Sequence, residues 1–279
     1  MENIHFHNEA LFHKKKEKIK SQGLEKLHIV SDFDRTLTKS FYQGKKIPSP
    51  FALFREGGYL TEEYPQKALH LFHTYHPIEK DDSLDYEFRF HKMQEWWEKH
   101  MKLLMESGIH QTVIDEVIKT YPKIFREGIF SFLEFLHTHN IPLLLFSSGI
   151  GNLITGYLNK ENKLTSNIHI ISNMFHFNEN GSALGYNKNI IHVMNKSETK
   201  IEETHYLDII RQKINIILLG DSIEDLGMIH DIPSNILITI GFLNENEEEK
   251  LELYTSKFDV VITHDGDLHF VNTVLQSLI

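Results

Sequence analysis

Cysteine is absent from the 279-residue chain, which excludes disulfides, thiolate metal sites, iron–sulfur clusters and a cysteine nucleophile. Long hydrophobic runs are missing as well. The longest, such as Ile141–Phe146 and Ile236–Leu243, fall far short of the ~20 residues that span a bilayer. The N-terminal MENIHFHNEALFHKKKEKIK lacks the apolar stretch of a secretory signal. These absences predict a cytoplasmic protein with no membrane partner. Positive charge is scarce: 29 Lys+Arg against 39 Asp+Glu give a formal net charge of −10, which argues against coating a nucleic-acid polymer. What is present, 41% hydrophobic and 24% charged residues, suits a globular chain forming one large domain or a core with a smaller partner. Nineteen histidines are a surplus to be tested as a metal signal. The basic cluster Lys14–Lys16, Lys18 and Lys20 reads as a solvated helix face.

Five short apolar runs each end at polar or glycine residues: Leu27–Val30, Ile141–Phe146, Ile214–Leu219, Ile236–Ile240 and Val260–Thr263. Continuous runs separated by helical segments predict buried parallel strands, hence an α/β fold with a Rossmann-like, doubly wound parallel sheet. Ligands of such sheets bind beyond the carboxyl ends of the strands. From about Pro48 to Pro122 the pattern gives way to residues rich in Glu, Lys, His and aromatics, with helical stretches at Glu87–Met105 and Gln111–Lys119. The expected division is a core of residues 1–45 and 123–279 with a helical cap inserted at 46–122. Asn178-Glu-Asn-Gly181 predicts a hairpin turn on the core.

Four strand-end motifs carry candidate chemistry. Asp32-Phe33-Asp34-Arg35-Thr36 follows the first run; if the strand geometry continues, both carboxylates lean into one site, where they need a cation or a proton between them. Gly220-Asp221-Ser222-Ile223-Glu224-Asp225 would complete an oxygen-rich site suited to Mg²⁺. Asp225 can equally be a charge at a helix N-terminus. Ser147-Ser148-Gly149-Ile150-Gly151 offers hydroxyls and backbone N–H groups to phosphate oxygens, or is an ordinary capping turn. Lys196 would neutralise a phosphate, and by itself would read as a surface lysine.

Taken together and in this order, Asp-x-Asp-x-Thr, Ser, Lys and Gly-Asp-Ser-x-x-Asp resemble the motif set of the haloacid dehalogenase superfamily of phosphohydrolases. The segments Phe146-Ser147-x-Gly149-Ile150-Gly151, Ile191-His192-Val193-x-Asn195-Lys196, Asn215–Ser222, Ile78-Glu79, Glu95-Trp96 and Ile240-Gly241-x-Leu243-Asn244 are more narrowly similar to the cytosolic pyrimidine 5′-nucleotidase III family. The similarity runs from about Leu27 to the C-terminus.

That resemblance implies a Mg²⁺-dependent 5′-nucleotidase acting on nucleoside 5′-monophosphates such as CMP, UMP or 7-methyl-GMP. It makes Asp32 the nucleophile and Asp34 the general acid–base. The metal would be held by Asp32, the Asp34 main-chain carbonyl and Asp221, with Asp225 in support. Ser147, Ser148 and Lys196 would hold the phosphoryl oxygens. In the cap, Glu79 would accept a hydrogen bond from an exocyclic amino group of the base and Trp97 would stack on it. His100 falls where pyrimidine-specific relatives carry a serine, so it would reshape the base pocket. Transfer of the phosphoryl group to another nucleoside is a chemically allowed side reaction. The competing expectations are a phosphatase for a non-nucleotide ester such as a sugar phosphate, and a non-catalytic nucleotide-binding protein.

Overall fold

All five apolar runs lie side by side in one sheet of the computed structural model, which describes residues 3–81, 83–121, 123–196, 206–229, 232 and 234–279. Pro122, the expected distal edge of the cap, lies outside the described residues. The strands are β1 (Ile4–Phe6), β2 (Leu27–Ser31), β3 (Phe41–Tyr42), β4 (Lys45–Lys46), β5 (Leu143–Ile150), β6 (Ile168–Asn173), β7 (Phe175–Phe177), β8 (Ala183–Tyr186), β9 (Asn215–Gly220), β10 (Ile236–Phe242) and β11 (Val260–Ile262). The helices are α1 (Glu9–Gln22), α2 (Pro50–Glu56), α3 (Tyr64–Lys80), α4 (Tyr86–Glu106), α5 (Gln111–Thr120), α6 (Ile129–Thr138), α7 (Gly151–Lys160), α8 (Tyr206–Ile210), α9 (Glu247–Lys257) and α10 (His269–Gln276).

The seven-stranded sheet has the order β1-β11-β10-β9-β2-β5-β6. Every pair is parallel except β1, which closes the edge antiparallel to β11. Both faces are covered. Ile29, Leu143, Leu145, Ile217 and Ile238 point into one apolar layer, and their neighbours Val30, Leu144, Phe146, Ile216 and Leu218 into the other. That alternation is the period-two pleat, with both faces apolar because helices lie on each side.

Helices α2 to α5 occupy the insertion and share an apolar cluster built on Phe54, Tyr64, Met93, Trp96, Trp97 and Met101. The cluster also takes in Ile150, Leu153 and Tyr157 from the end of β5 and from α7, so the inserted helices are seated directly on a sheet edge. Helix α4 begins one residue before the predicted segment because Asp85 caps it, its Oδ1 accepting from the Phe88 N–H at 3.0 Å. The expected hairpin is β7–β8; Asn178 Oδ1 accepts from the N–H groups of Asn180 and Ser182, and Gly181 takes φ 84°. The lysines of α1 do more than solvate a face. Lys15 pairs with Asp259 at 2.6 Å, and Lys20 donates to the Ser277 carbonyl at 2.9 Å. Among the described residues no helix is long and apolar enough to cross a membrane.

Gly241 in β10 lies against the buried ring of Phe258, and a Cβ there would sit 2.7 Å from Cδ2 and 2.8 Å from Cγ. Gly241→Ala should therefore cost about 1–3 kcal/mol by overpacking, read as a lowered midpoint in denaturant unfolding; an unchanged midpoint would show that the ring yields freely.

Candidate active site

The sheet order makes β2 and β9 neighbours, with Ser31 paired to Leu219, although the chain reaches them from opposite sides of the sheet. This is the topological switch point, where the loops diverge and leave a crevice beyond the strand ends. Asp32 leaves β2 with its N–H on the Leu219 carbonyl at 3.0 Å, and Asp221 directly follows β9. Two acidic motifs far apart in sequence thus meet across one inter-strand spacing, about 4.8 Å.

Lys196 lies between them. Its Nζ donates to Asp32 Oδ1 at 2.5 Å and to Asp225 Oδ1 at 2.7 Å, and all three side chains are buried. Asp225 Oδ2 accepts the N–H groups of Asp221 at 3.1 Å and Ser222 at 3.0 Å, so both its oxygens are engaged by protein donors. It caps the turn after β9 and anchors the lysine at once. Burial pushes the Asp32 carboxyl well above its ordinary range, against the pull of Lys196. Burial, with the Asp225 charge adding, pushes Asp221 up to about 7. For Lys196 burial acts downward, but the two carboxylates more than reverse it and keep the ammonium charged.

Strand geometry does not continue through the first motif. β2 ends at Ser31 and the chain turns from Asp34, so the two carboxylates face different partners. Asp34 forms an ion pair with Lys123, a residue of the return segment from the cap that sequence reasoning did not single out. The Asp34 Oδ2 and Ser147 Oγ atoms flank Gly149, where a Cβ would lie 3.1 and 3.2 Å from them. Asp34 therefore abuts the candidate phosphate turn. That turn belongs to β5, which runs on to Ile150 with a register break after Phe146, and α7 starts only at Gly151. The break frees the backbone there. Ser147 Oγ accepts the Gly149 N–H at 3.1 Å. The Ser148 carbonyl accepts from Asn173 Nδ2 at 2.9 Å and Trp97 Nε1 at 3.0 Å. Asn173 also brackets Ile191, bonding its N–H and carbonyl at 2.9 and 2.8 Å, and so links the serine turn to the loop that carries Lys196.

The structure brings Asp32, Asp34, Ser147, Ser148, Lys196, Asp221 and Asp225 to one end of the sheet, with Trp97 tied to that end by its indole N–H. Trp96 packs inside the cap, stacked on Tyr75 at 5.9 Å between ring centroids. His100 is also internal to the cap. Its ring lies 4.4 Å from Phe51, and Nε2 meets the Tyr64 hydroxyl at 3.0 Å. Burial, with the nearby Arg55 charge, pushes it down to about 3, so the imidazole is neutral and reaches Trp97 through Phe51, which meets that indole edge-on. Glu79 sits in the last turn of α3, largely shielded, with Lys80 3.6 Å away.

One carboxylate oxygen from each of Asp32, Asp221 and Asp225 falls within 4.8 Å of the others, and no histidine joins a candidate metal group among the described residues. Three carboxylates and one ammonium leave two net negative charges in a buried space, which an oxygen-seeking divalent cation would neutralise. The donor set therefore fits a hard metal ion. With Asp225 saturated by protein donors, Asp32 and Asp221 are the better ligands.

The chain has known relatives. A family profile described as Pyrimidine 5′-nucleotidase (UMPH-1) matches residues 35–279. The chain is 36% identical over 263 residues to the 7-methylguanosine phosphate-specific 5′-nucleotidase of Homo sapiens, covering 94% of this chain and 87% of that one. A crystal structure of cytosolic 5′-nucleotidase IIIB bound to cytidine superposes with a TM-score of 0.90 at 31% identity, covering 100% of this chain and 94% of that one. A HAD family hydrolase from Salmonella enterica subsp. enterica serovar Typhi shares the fold at a TM-score of 0.55 and 14% identity, over 91% of this chain and 72% of that one.

The raised carboxyl groups give a pH dependence of known sign. Without a cation, Asp221 holds its proton up to about pH 7, whereas unfolded it would lose it near pH 3.8. The folded state binds more protons across that window, so stability of the metal-free protein should fall as pH rises through it. A divalent cation must displace the proton, so its apparent affinity should weaken below pH 7 by up to about tenfold per unit for each proton displaced. Calorimetric Mg²⁺ titrations between pH 5.5 and 8 test this; an affinity flat across that range would refute it.

Proposed function

The chain belongs to the pyrimidine 5′-nucleotidase family and is a 5′-nucleotidase of haloacid dehalogenase-like fold; from that premise we propose that it hydrolyses pyrimidine and 7-methylguanine nucleoside 5′-monophosphates with Mg²⁺ through an aspartyl-phosphate. The observation that carries this reading is the single buried array at the β2/β9 switch point, in which Lys196 bridges Asp32 and Asp225 beside the Ser147–Ser148 turn.

An Asp32 carboxylate oxygen attacks phosphorus as the bond to the ribose 5′-oxygen breaks, and Asp34 gives that oxygen its proton. Asp34 then takes a proton from water, which attacks the aspartyl-phosphate and releases inorganic phosphate, restoring Asp32. The Ser147 hydroxyl, the Ser148 N–H and the Lys196 ammonium hold the transferring oxygens, where fixed donors in a dry site act strongly. Mg²⁺, held by the carboxylates of Asp32 and Asp221 and the Asp34 main-chain carbonyl with Asp225 in support, supplies charge neutralisation at the phosphoryl group. Giving up its proton leaves Asp34 as a carboxylate, which the Lys123 ammonium holds in place between the two proton transfers. A nucleoside hydroxyl in place of water would give phosphotransfer as a side reaction.

Base selection falls to the cap, residues 46–122. Trp97 offers a flat apolar partner for the base, and Glu79 accepts from an exocyclic amino group, a feature shared by cytosine and 7-methylguanine. His100 acts through Phe51 on the shape of the base pocket rather than as a charged contact. The likeness to relatives named for 7-methylguanosine phosphate, and to one solved with cytidine, supports a pocket that admits both bases. The resemblance to a cytosolic enzyme points to the cytoplasm as the working compartment.

Phosphate release from CMP, UMP, 7-methyl-GMP, AMP, GMP and a sugar phosphate, each with Mg²⁺ or EDTA, is the test. CMP and 7-methyl-GMP should lead and EDTA should abolish turnover, while a preferred sugar phosphate would overturn the reading of the cap. Asp32→Asn should lower turnover by about 10³-fold or more; near wild-type turnover would remove Asp32 as nucleophile.

A further inference from the structure

Arg126 is the largest fully buried side chain of the protein's described residues, 1% exposed, and it touches none of the groups assigned to phosphate or metal above. Every one of its five N–H donors is used. Nε donates to the Thr36 carbonyl at 2.7 Å, Nη1 to Asp265 Oδ1 at 3.1 Å and to the Gly266 carbonyl, and Nη2 to the Arg35 carbonyl and to Asn244 Oδ1 at 2.7 Å. Its guanidinium lies 4.3 Å from the ring centroid of Phe242. Two of the acceptors are the carbonyls that immediately follow Asp34.

The turn they belong to is strained. Arg35 has φ 63°, a left-handed conformation that non-glycine residues hold only when the surroundings over-determine it, at a cost of about 1–3 kcal/mol. Here the Arg35 carbonyl is gripped twice, by Arg126 Nη2 and by Asn244 Nδ2 at 3.1 Å. Asp265 joins the same node to the cap root by accepting the N–H groups of Ser40 and Phe41 at 2.9 and 3.1 Å. The segment returning from the cap is paired there too, with Lys39 N–H on the Ile124 carbonyl and Arg126 N–H on the Leu37 carbonyl.

We propose that Arg126, with Asn244, is a positioning residue of the reaction: its fork holds the strained turn at Arg35–Thr36 and thereby aims the Asp34 carboxyl at the leaving oxygen. The proposal rests on the reading of Asp34 as proton donor. A buried arginine that served stability alone would affect all substrates alike. One that aims Asp34 affects only those whose leaving group needs a proton. A ribose alkoxide needs one, whereas the phenolate of 4-nitrophenyl phosphate leaves without it.

The experiment compares kcat and KM for the better of CMP and 7-methyl-GMP with those for 4-nitrophenyl phosphate, in Mg²⁺-loaded wild type, Arg126→Lys, Asn244→Ala, Asp34→Asn and the Asn244→Ala/Asp34→Asn double variant. Arg126→Lys keeps the charge but loses the fork. Asn244→Ala is the milder change that keeps the test open if the lysine variant does not fold. The expected result is a kcat lowered about tenfold or more on the nucleotide and far less on the aryl ester, with KM little moved. In the Asp34→Asn background, Asn244→Ala should cost nothing further on the nucleotide. Equal losses on both substrates, or full additivity in the double variant, would overturn the positioning role while leaving Asp34 as donor if Asp34→Asn itself shows the substrate split. An Asp34→Asn variant without that split would overturn the donor reading and the proposal together.

Discussion

The ammonium of Lys196, held between the buried carboxylates of Asp32 and Asp225, is the contact on which the rest of the site depends. Three carboxylates gathered at one sheet edge would repel one another strongly in a low-dielectric setting. A single buried lysine bonded to two of them leaves two negative charges. A divalent cation would neutralise that remaining charge. Asp225 makes the arrangement rigid, because the oxygen not bonded to Lys196 accepts two backbone N–H groups of the turn after β9. Gly220 is part of the same fit, since a Cβ there would lie 2.6 Å from the Asp225 Cβ.

Topology supplies the convergence that local chemistry cannot. Asp32 and Lys196 are 164 residues apart in sequence, and Ser148 and Asn173 are 25 apart. They meet because β5, β2 and β9 are adjacent and parallel, so every strand delivers its carboxyl end to the same edge. The inserted helices lie over that edge by sharing an apolar cluster with Ile150, Leu153 and Tyr157. Trp97 ties them to the Ser147–Ser148 turn with one hydrogen bond to the Ser148 carbonyl.

Much of this was legible in the residues. Uninterrupted apolar runs identified the parallel strands, and the polar residues after three of them, Asp32, Ser147 and Asp221, come together at one end of the sheet, because in a doubly wound sheet the strand end is where the backbone stops pairing. The groups that stayed hidden answer to long-range placement. Lys123 and Arg126 sit in an unremarkable Lys-Ile-Phe-Arg segment, and only the folded chain shows one on Asp34 and the other under Arg35. Asn173 ends β6 as many asparagines end strands; its double bond to Ile191 depends on a loop that returns 18 residues later. The extension of β5 through Ile150 was obscured by Ser-Ser-Gly, a run that ordinarily terminates strands. The histidine surplus contributes no ligand to the candidate metal group, which consists of carboxylates alone among the described residues.

The division of labour follows from where charge is buried. The candidate site groups lie on the core, each fixed by at least one further partner: Lys196 by Asp225, Ser148 by Asn173, and the turn beyond Asp34 by Arg126 and Asn244. The inserted helices contribute aromatic rings, among which Trp97 donates its indole N–H to the Ser148 carbonyl and His100 meets the Tyr64 hydroxyl. A chain with a net charge of −10 can then attract a phosphate dianion, because surface charge is screened within about 8 Å in physiological salt. The local field is set by the lysines and the metal-binding carboxylates. Lys123 belongs to both halves, carried on the segment that returns from the cap yet paired with Asp34 in the core, so a movement of the cap root would act directly on the Asp34 carboxylate.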